Sequence, residues 1–71
     1  MKVNKFTVSG FNSPDEIAYI EGDIHAHDGV KAVRLDMQAS TITVDYDDKK
    51  CSEWDVRDFV THAGLNIVNI K

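Results

Sequence analysis

At 71 residues the chain has room for one small domain, spanning 1–71, with a single sheet covered on one side by helices. Twelve acidic against eight basic side chains leave a formal charge of −4. With Lys and Arg scattered along the chain, this argues against nucleic acid as a partner. One cysteine excludes an intramolecular disulfide and a CxxC motif, no run approaches membrane-spanning length, and Met1-Lys2-Val3-Asn4-Lys5 lacks the apolar stretch of a signal peptide. The expectation is a soluble cytoplasmic protein with no membrane association.

Residues Asn4 to Val8 alternate, with Phe6 and Val8 on one side and Lys5 and Thr7 on the other, which is the period of a half-buried strand ended by Gly10. Ser13-Pro14-Asp15-Glu16 then reads as a complete helix start. Ser13 caps the free N–H groups, Pro14 suits the first helical position, Asp15 complements the dipole and Glu16 closes a capping box. Ile17, Ile20 and Ile24 recur at helical spacing beside Ala18, with Asp15, Tyr19 and Asp23 on the other face and Asp28-Gly29 as the stop. Val33, Leu35 and Met37 alternate with Arg34 and Asp36, and Ile42, Val44 and Tyr46 alternate with Thr41, Thr43 and Asp45. These predict a hairpin turning near Gln38 to Ser40.

A second helix starts at the Ser52 cap with Asp55 three residues on, carries Val56, Phe59, Val60 and Ala63 as its apolar stripe, and stops at Gly64. Leu65 to Ile70 is short and β-prone. The string is βαββαβ. It predicts an α+β fold, a ferredoxin-like sandwich of a four-stranded antiparallel sheet with two helices on one face.

From these residues the chain resembles the heavy-metal-associated domain family of copper chaperones and the N-terminal modules of metal-transporting P-type ATPases. The matching positions are Gly10, Gly29-Val30, Val33 and Leu35, Thr41-Ile42-Thr43-Val44, and Ala63-Gly64, registered without gaps over nearly the whole chain. The family pattern places Met-x-Cys-x-x-Cys after the first strand. Here the methionine position is Phe11 and the two cysteine positions are Ser13 and Glu16. The resemblance therefore implies a relation to metal trafficking, while a hydroxyl and a carboxylate cannot replace the two thiolates that hold Cu(I). Phe11 is expected to turn inward toward the second helix.

Two constellations could ligate a divalent metal. In the expected fold the loop before the first helix and the end of the second share one end of the sheet, so His62 approaches Asp15 and Glu16 as a mixed N/O set. At the opposite end, where the first helix finishes and the second begins, lie His25, His27 and Cys51. The structural readings compete: Asp15, Glu16 and His62 suit helix termini. His27 continues the apolar stripe, residues two apart on a helix splay, and Cys51 staples the second helix start against Val56. No cofactor is expected, and no enzyme, since Cys51 has no locally spaced histidine to activate it even if the helix N-terminus lowers its pKa. Asp45, Asp47 and Asp48 read as a solvated strand end. The open sheet face, carrying Val3, Lys5, Thr7, Arg34, Asp36, Thr41, Thr43, Asp45, Val68 and Ile70 by strand parity, or an edge strand, is where a protein partner would dock. The fold-level alternative is an amino-acid-binding regulatory module of the same βαββαβ type.

Overall fold

The alternation at the start of the sequence extends further than the apolar pattern required. In the computed structural model, which describes residues 1–10 and 14–70, the first strand β1 spans Lys2–Ser9, burying Phe6 and Val8 and leaving Lys5 exposed. It is followed by α1 (Pro14–His25), β2 (Val30–Asp36), β3 (Thr41–Tyr46), α2 (Glu53–His62) and β4 (Asn66–Ile70). The sheet is antiparallel in the order β2-β3-β1-β4. This is the ferredoxin-like βαββαβ architecture that the sequence predicts.

The helix faces follow from their spacing. Ile20 and Ile24 of α1 and Val56 and Val60 of α2 are buried with Phe6, Val8, Ile42, Val44, Tyr46 and Leu65, forming one core between helices and sheet. The start of α2 is the capping box expected at Ser52. Its hydroxyl accepts from the Asp55 N–H at 3.2 Å, and the Asp55 carboxylate accepts from the Ser52 N–H at 2.9 Å. Cys51 and Val56 both belong to the core, as a hydrophobic staple requires. The first helix is shorter than its stop signal suggested. It ends at His25 rather than Asp28, because the chain tightens: the His27 N–H reaches the Ile24 carbonyl at 3.2 Å, three residues back.

Two further departures have local causes. Met37 lies beyond β2 and is exposed, since the Asp36 side chain accepts from the N–H groups of Gln38 and Ala39 at 3.0 and 3.2 Å and turns the chain there. The pairing of β1 with β4 shifts between Thr7 and Val8, so Ile70 stands opposite the core residue Phe6 and simple parity does not run the length of β4.

Candidate functional site

Two ends of the molecule gather the residues singled out above. At the first, Gly10 closes β1 with φ of +111°, and a Cβ there would lie 3.1 Å from the Gly64 carbonyl oxygen and 3.7 Å from Leu65 Cα. The start of the loop thus packs on the end of α2, and only glycine fits both the dihedral and the space. Asp15 and Glu16 occupy the first turn of α1 and His62 the last turn of α2, all three exposed. His62 Nδ1 lies 2.8 Å from the Asp58 carbonyl oxygen of its own helix. The cap expected of Ser13 and the inward turn expected of Phe11 lie outside the described residues.

At the opposite end, the close of α1 meets the start of α2. A Cβ on Gly29 (φ +99°) would lie 3.0 Å from Cys51 Sγ, the Asp47 N–H donates to the Gly29 carbonyl at 2.8 Å, and Lys50 pairs with Asp28 at 3.5 Å. His25, His27 and Cys51 therefore share one end, yet each turns to a different neighbour. His25 Nε2 lies 3.1 Å from the Lys31 carbonyl oxygen, and the His27 ring stacks on Phe59 with centroids 3.8 Å apart and planes 4° from parallel. The Cys51 thiol is buried, 3.8 Å from the Asp47 carbonyl oxygen. Among the described residues no group of three or more His, Cys, Asp or Glu side chains converges to hold a metal ion.

The electrostatics of this end oppose a reactive thiol. Burial pushes the Cys51 pKa up, and Asp55, Asp47 and Asp28 push it further, the opposite direction from an activated thiolate. Tyr46, whose hydroxyl accepts from Asn4 Nδ2 at 3.2 Å, is also raised, by burial first and then by Glu53. Both groups are neutral when protonated and both hold their proton more tightly once folded. Their contribution is full below the ordinary values of 9.0 and 10.0 and is lost as pH rises through the higher folded values. Denaturant midpoints should therefore fall above about pH 9, the Cys51→Ala variant falling later than wild type. An unchanged midpoint up to about pH 11 would contradict this assignment.

Glu21 was not singled out by sequence. It flanks the apolar stripe of α1, four residues after Ile17 and three before Ile24, and its Oε2 accepts from the Leu35 N–H of β2 at 3.0 Å. The spacing places it beside the stripe but does not name its partner, which lies fourteen residues away. The open sheet face holds a shallow cavity of about 270 Å³ lined by Val3, Ala32, Val33, Arg34, Thr43 and Asp45.

No protein-family model matches the chain, and no curated protein matches its sequence. Solved structures do. The CopZ metallochaperone superposes with a TM-score of 0.85 at 21% identity, covering 94% of this chain and 100% of its own. The N-terminal domain of PacS from Synechocystis PCC6803 gives 0.81 at 18% identity, with 100% of both chains covered. The fold is that of the heavy-metal-associated domains. A copper-binding domain from HMA7, a P-type ATPase, agrees at a TM-score of 0.84 and 16% identity, covering 100% of this chain and 99% of its own. Among the described residues, no helix of this heavy-metal-associated fold is long and apolar enough to cross a membrane.

Proposed function

We propose that this chain is a non-enzymatic heavy-metal-associated domain, a single unit over 1–71, that belongs to metal trafficking but does not hold Cu(I) between two thiolates. The observation that carries the reading is the cysteine. The chain has one, it is 6% exposed at the start of α2, and it sits at the end of the molecule away from the Gly10 loop. Soft Cu(I) is held by thiolates, and Ser13 and Glu16 stand where the family pattern has them. The alternative is a metal-independent interaction module using the open face, which the exposed Val3 beside the cavity over Arg34 and Asp45 supports.

The test is a competition titration. The wild-type chain should take no Cu(I) from a two-thiolate chelator, and zinc should leave its melting temperature flat, since a ligand that favours the folded state raises stability with concentration. Stoichiometric Cu(I) uptake would overturn the proposal. A zinc-dependent rise lost in Cys51→Ala would place a site at His25, His27 and Cys51, whereas a rise lost in His62→Ala would place it at Asp15, Glu16 and His62.

A further inference from the structure

An edge strand presents a row of backbone N–H and C=O groups that invites another strand to pair. The strand β2 forms one edge of this sheet, and two side chains of α1 reach across to its outward groups. Glu21 Oε2 accepts from the Leu35 N–H at 3.0 Å, and His25 Nε2 lies 3.1 Å from the Lys31 carbonyl oxygen, which it can reach only as a donor. Glu21 and His25 are four residues apart on the helix and so lie on one face. Between helix and strand runs an open groove of about 580 Å³, lined by Ala18, Glu21, Gly22, His25, Ala26 and Val33. The small residues Ala18, Gly22 and Ala26 leave space for the two longer side chains to lie down along β2.

We propose that Glu21 and His25 form a latch that closes the β2 edge, and that the occupant it excludes is the β2 edge of a second copy of this chain. The argument for a second copy is self-complementarity. Lys31 and Leu35 stand two residues either side of Val33, so in an antiparallel pair centred on Val33 the Lys31 of one copy faces the Leu35 of the other. Such a pair exchanges N–H and C=O in both directions. The two groups held by the latch are the ones the second copy would take.

The experiment compares wild type with the double variant Glu21→Ala, His25→Ala by sedimentation over a concentration series and by amide exchange at Leu35. Alanine is the best helix former, so α1 is retained. Wild type should be monomeric with a protected Leu35 amide. In dilute solution the double variant should exchange at Leu35 up to about tenfold faster, as loss of one hydrogen bond allows. At high concentration it should dimerise and regain protection. Glu21→Gln keeps an acceptor oxygen and should stay monomeric. An unprotected Leu35 amide in wild type would overturn the latch whatever the variants do, and so would a double variant that stays monomeric. Pairing of the variant with an unrelated strand-forming peptide, without self-association, would overturn the second-copy assignment.

Discussion

Introducing Ser13→Cys together with Glu16→Cys is expected to convert a chain that leaves Cu(I) with a competing dithiol into one that takes up a single ion. The two positions are three apart in the sequence, with Glu16 in the first turn of α1, so two thiolates there would stand at the spacing of the family pattern. Thiolates select Cu(I), and a helix N-terminus favours their charged form. The change weakens the fold at the same time. Loss of the cap expected of Ser13 costs about 1 kcal/mol, and loss of a carboxylate from the first turn costs about 0.3–1 kcal/mol. Metal-free, the variant should therefore melt below wild type, and Cu(I) should raise it above. The measurement is competition with a chelator of known affinity, repeated in a Cys51→Ala background, where uptake should persist because the buried thiol at the far end takes no part. A double variant that folds and still loses the ion to the chelator would show that the loop backbone, and not only its ligands, departs from the family.

How far the sequence could be read depended on how local the deciding contacts were. The start of α2 was legible in full. Cys51, Ser52, Asp55 and Val56 interact with one another within six residues, so their spacing states the capping box and the staple. The alternation of β1 and β3 was equally plain, because Phe6, Val8, Ile42 and Val44 bury on one side while Lys5 and Thr43 do not. The end of α1 was less so. Gly29 marks where the chain turns, but the turn tightens earlier, at His27, and what holds that corner is Asp47 and Cys51 from the far side of the hairpin.

For the candidate sites, topology was legible and direction was not. The fold brings His25, His27 and Cys51 to one end, as the order of elements implied, but the Lys31 carbonyl, the Phe59 ring and the core decide where each side chain points. The raised thiol of Cys51 has the same origin. Its proximity to a helix N-terminus and to Asp47 and Asp55 is visible in the sequence, whereas its burial and the approach of Asp28 are tertiary. Glu21 shows the limit most clearly, since a carboxylate beside the apolar stripe gives no sign of which strand it serves.

The largest loss of stability is expected at Phe6. Its side chain is fully buried, on the strand that pairs with both β3 and β4, opposite Ile42 on one side and Ile70 on the other. Both halves of the βαββαβ string meet on that strand, so no neighbouring element can move into the space without breaking pairing on the other side. Phe6→Ala removes the ring and leaves a cavity that collapses poorly, at a cost of about 3–5 kcal/mol. A domain of this size has roughly 4–10 kcal/mol in all, at about 0.05–0.15 kcal/mol per residue. The substitution therefore removes between about a third and all of the total, and at the lower end of that range the variant is close to half unfolded. Val3→Ala, three residues earlier on the same strand and 60% exposed, should change stability by no more than about 0.5 kcal/mol. Chemical denaturation of the pair reads out the two faces of β1 separately. A Phe6→Ala cost below about 1 kcal/mol would contradict its place at the centre of the core, whereas a Val3→Ala cost of several kcal/mol would mean that the open face is covered in the folded protein.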